Sequence, residues 1–291
     1  MENTRYDYSP IILREPIKWP NNARVAVWVI PNIEHHQIDV PSVSLTPSQA
    51  RPVPDVRNYG WLGFGNRVGI WRIMDVLDKY SIKATVALNS SVCDHYPVIV
   101  AEGRKRGWEF MGHGITNSQN LANLSEVAER RLIKTTIQTI ADAVGKRPEG
   151  WLSPGLTETF NTPDILAEEG IKYVCDWCND DQPYPMKVRN GTLISIPYTV
   201  EANDRPAFVN LHLTPQEFCQ NVMDQFDVLY EEGVSRGMVM AIALHSYLSG
   251  QAFRIKYLDK ALGYIAGHEH VWFATGTEIV KWYCERYLQS I

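Results

Sequence analysis

Unbroken apolar runs and amphipathic stretches alternate along the chain. Residues 25–30 are apolar without interruption, which predicts a buried strand. Ile70, Ile73, Met74 and Leu77 fall at i, i+3, i+4 and i+7, so a helix is expected over 66–80. A strand over 83–88, a helix over 95–106 and a short strand over 108–111 follow. Ser125 is placed to cap a long helix whose apolar stripe is Ile133, Ile137, Ile140 and Val144, with Gly145 as its stop. A strand is expected over 149–152, then a helix opened by Thr162-Pro163 and ended at Gly170. Strands over 171–175 and 193–196 come next. Thr214-Pro215-Gln216-Glu217 reads as a capping box, and Phe218, Val222, Phe226 and Leu229 share one face of the helix it opens. Residues 238–244 are wholly apolar and predict another buried strand, followed by a helix over 254–266, a strand over 271–274 and a helix over 277–288.

That makes about eight strands, most of them followed by a helix. Continuous apolar strands belong to a parallel sheet covered on both faces. The expected fold is α/β, a distorted or regular (β/α) barrel of seven to eight strands, forming a single domain over residues 1–291. A doubly wound open sheet is the alternative, although no glycine fingerprint follows the first strand. Residues 37–65, with Pro41, Pro47, Pro52 and Pro54, read as a long irregular insert: a lid, a subunit contact or a passive surface loop.

Composition narrows the setting. A chain of 291 residues that is 45% hydrophobic and 21% charged can bury a sizeable core. A net charge of −5 leaves no basic footprint for nucleic acid or an anionic membrane. The longest apolar runs fall far short of the ~20 residues that span a bilayer, and the first residues are polar and carry acids, unlike a signal peptide. A cytoplasmic protein is expected. Five cysteines, Cys93, Cys175, Cys178, Cys219 and Cys284, are odd in number and scattered, which is not a disulfide framework. Cys175 and Cys178 read as two unrelated thiols at a strand end.

The chemistry collects where the strands end. After the first strand come Asn32, Glu34, His35 and His36, after the second Asn89, and after the third His113 and Asn117. Ser153, Pro154 and Gly155 follow the fourth, Asp176, Trp177, Asp180 and Asp181 the fifth, Tyr198, Glu201, Asn203 and Asp204 the sixth, and His245 the strand over 238–244. In a barrel these positions converge on one face, where active sites are built. No nucleophile elbow and no phosphate cradle is present. Carboxylates with imidazoles suit hydrolysis, with a base for water and an acid for the leaving atom, or a metal.

The strings WVIPNIEHH, FMGHGITNSQ, GWLSPGLTETF and ALHSYLSGQAF resemble the polysaccharide deacetylase superfamily, and are most similar to its intracellular branch of allantoinase-like, cyclic imide hydrolase and cytoplasmic peptidoglycan-deacetylase-like enzymes. The resemblance runs over nearly the whole chain and implies a distorted (β/α) barrel. It places Glu34 and His35 where the family has a catalytic base and a metal ligand, and His113 and Asn117 where it has two histidines. Ser153-Pro154-Gly155 stands at the segment that supplies a backbone donor for the oxyanion, without the usual arginine, and His245 at the general acid. The family's metal triad is thus not intact. Either a divalent metal such as zinc sits on Glu34, His35 and His113, or the same groups work as acid and base without one. His36 is expected as a supporting or lid contact.

The resemblance implies a hydrolase of non-peptide C–N bonds, with a small cyclic amide or imide as substrate. An N-acyl deacetylase on an amino sugar or acylated amine is the alternative, and a non-catalytic binding barrel a third. Catalysis is assigned to Glu34, His245 and Asp180, and substrate binding to Asn117, Trp151, Pro154, Gly155, Trp177 and Asp181, with Trp61 as a further wall. One of Asp180 and Asp181 is expected to form the site and the other to hold its loop. The aromatics Tyr59, Trp61 and Phe64 in the insert, with the resemblance, point to a homodimer or homotetramer.

Overall fold

The computed structural model describes residues 2–40 and 53–288. Its centre is β1, Val25–Ile33, in which every residue is buried. One edge of β1 pairs in parallel with β8, Met238–His245, along its whole length, from Val25 opposite Met238 to Asn32 opposite His245. The other edge is shared. Its beginning, Val25–Val27, pairs with β9, Val271–Phe273, and its end, Asn32 and Ile33, pairs with β2, Thr85–Leu88. Beyond β2 the sheet continues through β3 (Glu109–Gly112), β4 (Gly150–Trp151), β5 (Tyr173–Val174) and β7 (Leu193–Ser195) to an antiparallel edge strand, β6 (Tyr184–Met186). The far edge of β8 is met by loops instead of a strand: Val239 N–H donates to Asp181 O and Ala243 N–H to Ala202 O. This curled, nine-stranded sheet is the distorted barrel expected from the sequence.

Local signals hold where they are strong. Ser125 Oγ accepts the Ala128 N–H at the start of helix Glu126–Val144, and Gly145 ends it at φ 81°. Thr214 and Glu217 form both halves of their capping box. The helix expected over 95–106 is broken at Tyr96, because Pro97 lacks an N–H and forces the preceding residue out of helical geometry. Helices Ser91–His95 and Pro97–Lys105 replace it.

The insert 37–65 is not irregular throughout. Val56–Phe64 is a helix capped by Asp55, and it runs on through 65–69 into the predicted amphipathic helix, Ile70–Lys79. Pro41, Pro47 and Pro52 lie outside the described residues. Tyr59, Trp61 and Phe64, expected at a subunit contact, are half-buried within the chain, with the Trp61 ring edge-on to Tyr247.

The barrel floor, where parallel strands begin, carries a buried hydrogen-bond network centred on Glu109. Glu109, first in β3, accepts from Thr85 Oγ1 at 3.1 Å, Tyr173 Oη at 2.8 Å and Thr277 N–H at 3.0 Å. A Cβ on Gly150 or Gly276 would overlap the Tyr173 ring, so both glycines are there for close approach.

Candidate active site

The four residues after β1 are clamped from both sides. His35 N–H donates to Asn89 Oδ1 (3.0 Å), Asn66 Nδ2 to Glu34 O (2.7 Å), Asn117 N–H to His35 O (2.9 Å) and Gln37 N–H to Ser118 Oγ (2.9 Å). In extended chain, side chains alternate in direction. Glu34 and His36 therefore line the same cavity, and His35 points away from it. The His35 ring stacks on His95 with centroids 4.1 Å apart and planes 2° from parallel. Burial first, then His95 and His36, lower its pKa to about 4.

Glu34 is the hub of the cavity. Its Oε2 is 3.1 Å from His36 Nε2, and its Oε1 is 3.7 Å from His113 Nε2 and 3.6 Å from His245 Nε2. Burial alone would raise this carboxyl, but the hydrogen bond from His113, the charge of His245 and the hydrogen bond from His36 hold it well below the usual carboxylate range. The group is ionised. His113 Nδ1 lies 2.7 Å from Leu152 O, and a carbonyl only accepts, so Nδ1 carries a proton and Nε2 faces Glu34.

His245 has a different support. Its Nδ1 is 2.8 Å from Asp204 Oδ1, and its backbone N–H donates to the same carboxylate at 2.8 and 2.9 Å. Ser249 Oγ donates to Asp204 Oδ2 at 2.6 Å. Burial pulls the imidazole pKa down, but the Asp204 hydrogen bond and the charge of Glu34 override it and raise it above 6.5. The sequence sets Asp204 among the polar residues after the strand over 193–196 but gives it no role. It is carried to His245 by the long-range bridge of Asn203 to Ala243, for which no local signal exists.

The 153–155 segment offers a donor by elimination. The Ser153 N–H is taken by Asp176 Oδ1 at 2.7 Å, Pro154 has no N–H, and the Leu156 N–H donates to Ser153 O. Gly155, at φ 64°, lines the cavity with its N–H uncommitted among the described residues. Behind it, burial and then Asp176 raise Glu158 to about 9, so this pair of carboxyls keeps a proton.

The cavity has a volume of about 580 Å³. Glu34, His36, His113, Asn117, Gly155 and His245 all line it. Several expected residues do not. Trp151 is fully buried beneath it, its Nε1 donating to Ser153 Oγ at 2.9 Å. Pro154 packs against Gly114. Trp177 faces a separate space of about 1010 Å³ under the N-terminal segment, edge-on to Tyr6. Asp180 is bound by both guanidinium nitrogens of Arg14, at 2.7 and 2.6 Å, and Asp181 lies beside it, away from the cavity. The reason is that β5 is only two residues long, so the chain leaves the barrel before reaching them.

The three-ligand metal set Glu34, His35 and His113 is not assembled, because His35 is stacked on His95. Position 117 offers an amide where the resemblance leads one to expect an imidazole. Among the described residues no three His, Cys, Asp or Glu side chains are placed to hold a metal ion. These residues do not fit the metal that the resemblance implies. Sequence reasoning also set His36 aside as a supporting contact, although spacing i, i+2 from Glu34 on an extended segment was signal enough to bring the two together.

Comparison with known proteins agrees with this geometry. Residues 60–174 match the polysaccharide deacetylase family. A Schizosaccharomyces pombe protein classed as a polysaccharide deacetylase is 28% identical over 298 residues, covering 90% of this chain and 91% of its own. The peptidoglycan deacetylase of Helicobacter pylori is 23% identical over 274 residues, covering 78% of this chain and 92% of its own. Among solved structures, the PuuE allantoinase superposes with a TM-score of 0.85 at 25% identity, over 97% of this chain and 99% of that one. A Pseudomonas aeruginosa PAO1 protein classed with the polysaccharide deacetylases gives 0.85 at 25% identity, over 92% and 94%.

Proposed function

We propose, for a chain that carries a polysaccharide deacetylase domain and is a hydrolase of non-peptide carbon–nitrogen bonds, that the substrate is a small cyclic amide or imide. One observation carries the choice: Asn117, Asn120 and Asn210, whose side-chain amides have no hydrogen-bond partner among the described residues, line a cavity of about 580 Å³ around the hub carboxylate. Primary amides offer paired donors and acceptors, which match the N–H and C=O edges of an imide or ureide ring. The similarity to an allantoinase supports the same reading.

The chemistry uses this chain's own side chains. Glu34, ionised at the centre of the cavity, takes the proton of a water bound beside it as that oxygen adds to the carbonyl carbon, and His113 holds the carboxylate in place. The carbonyl oxygen, now negative, is met by the Gly155 N–H. His245 Nε2–H protonates the ring nitrogen, and the C–N bond breaks to open the ring, leaving a carboxylate and, on the nitrogen side, an amide from an imide or an amine from a simple cyclic amide. Asp204 holds the imidazolium in that orientation.

An N-acyl deacetylase is the second reading, favoured by the similarity to the peptidoglycan deacetylase. Turnover of a panel of imides, hydantoins, lactams and N-acetyl amino sugars separates the two. Ring opening of at least one cyclic compound is expected; release of acetate alone sinks the cyclic reading.

The described residues contain no helix long and apolar enough to cross a membrane. We place the enzyme in the cytoplasm, where its free cysteines stay reduced and a small soluble substrate is at hand. We read it as a homo-oligomer, because Tyr8, Ile12 and Leu13 are exposed together near the N-terminus.

A further inference from the structure

We propose that the substrate carries a carboxylate besides its scissile amide, and that Arg205 binds it. This rests on the cyclic-amide reading for the reaction but on separate residues for the recognition.

Among the described residues, Arg205 is the only arginine or lysine lining the cavity. Its backbone is fixed: its N–H donates to Asn203 Oδ1 at 3.0 Å, Asn203 Nδ2 donates to Thr199 O at 3.2 Å, and the neighbouring Asp204 is locked to His245 and Ser249. Its guanidinium, in contrast, has no hydrogen-bond or ion-pair partner among the described residues. Other half-buried arginines of this chain have partners: Arg5, Arg14 and Arg130 pair with Asp164, Asp180 and Glu168, Arg72 donates to Gly250 O, and Arg24 and Arg254 lie over the rings of Tyr230 and Phe208. The acids near Arg205 are not available to it. Asp204 is saturated by His245 and Ser249, and Glu34 belongs to His36, His113 and His245. A half-buried guanidinium left without a partner favours an anion from outside.

The chemistry of the lining selects which anion. A single planar cation matches one carboxylate through two parallel N–H···O bonds. A phosphate dianion would call for more positive charge than this cavity holds. A neutral amino sugar would leave Arg205 unpaired. The position also links binding to catalysis, because the charge of Arg205 lowers the proton affinity of His245. A carboxylate seated on Arg205 offsets that charge and favours the protonated acid when substrate is present.

Two probes separate the parts: hydantoin-5-acetate, and hydantoin-5-acetamide, which has the same ring and an uncharged arm. Calorimetry and steady-state kinetics are run on both, with wild type, Arg205→Met and Arg205→Lys, and melting curves check folding. Wild type is expected to bind the acetate at least about tenfold more tightly than the acetamide, as expected for a charge-assisted bidentate contact. Arg205→Met should erase that ratio, mainly through KM, and Arg205→Lys should restore part of it. Equal binding of the two probes by wild type, or a ratio that survives in Arg205→Met, overturns the proposal. Arg205-dependent binding of the acetate without ring opening upholds the carboxylate and removes the cyclic-amide reading instead.

Discussion

Asp204 and His245 meet twice: the carboxylate accepts the imidazole Nδ1–H at 2.8 Å and the same residue's backbone N–H at 2.8 Å. The residue is therefore held by its ring and by its backbone, with Nε2 left facing Glu34. Asp204→Asn should keep the backbone contact through its carbonyl oxygen but lose the charge that raises the His245 pKa. A fall of about 10²–10⁴ in kcat/KM is expected. The alkaline limb has a definite sign. A raised pKa keeps His245 protonated above its usual 6.5, and activity is lost as pH rises through the raised value. In Asp204→Asn that limb moves to lower pH. A pH–rate profile with an unmoved alkaline limb would remove Asp204 from the mechanism.

Glu34→Gln should abolish most turnover, on the order of 10²–10⁴, while the protein stays folded. The stability of this carboxylate depends on pH in the opposite sense to that of His245. Its pKa is depressed below 4.5, so its pairing with the histidines is complete above that value and is lost as pH falls through the folded one. Urea unfolding of wild type and Glu34→Gln should converge on acidification. A constant gap between them from neutral to acid pH would show that Glu34 is not ionised in the folded protein.

His35→Phe is expected to turn over at close to the wild-type rate, because its ring stacks on His95 outside the cavity. His36→Ala should lose activity, because its Nε2 is 3.1 Å from Glu34. Kinetics that rank the two variants the other way would return His35 to the site.

At the other end of the barrel, Gly150→Ala should lower the melting temperature by the equivalent of about 1–3 kcal/mol of overpacking. The added methyl runs into Tyr173, whose hydroxyl is held by Glu109 and cannot give way freely. A differential scan with an unchanged midpoint would contradict this.

In light scattering at micromolar concentration the protein should show a mass of at least twice the 33.2 kDa of one chain. Leu13→Asp, at a residue 79% exposed, should reduce it. A wild-type mass of one chain ends the oligomer reading.

Much of this was legible in the sequence wherever the cause is local. The capping box at Thr214, the stop at Gly145 and the buried runs of β1 and β8 declare themselves within a few residues. Glu34 and His245 were legible because they follow those two strands directly. What failed depended on parity or distance. Choosing between His35 and His36 requires knowing that the extended geometry continues past Ile33. Asp180 and Asp181 follow a strand expected to be longer than the two residues it has, and Arg14, from the N-terminal segment, claims the first of them. Asp204 and Arg205 matter only because a loop near residue 203 comes to lie along β8, which no spacing rule reveals.

The pairing of β1 with β8 also sets when the site comes into being. Glu34 and its acid His245 stand side by side only because the first strand finds a partner made near the end of the chain. During synthesis β1 must wait, with the whole edge that takes β8 unpaired, until Met238–His245 has left the ribosome. Closure over so long a loop is slow, and a waiting apolar strand is the segment most exposed to wrong partners. Nascent chains that stop before Met238 should therefore be both inactive and the ones that chaperones retain.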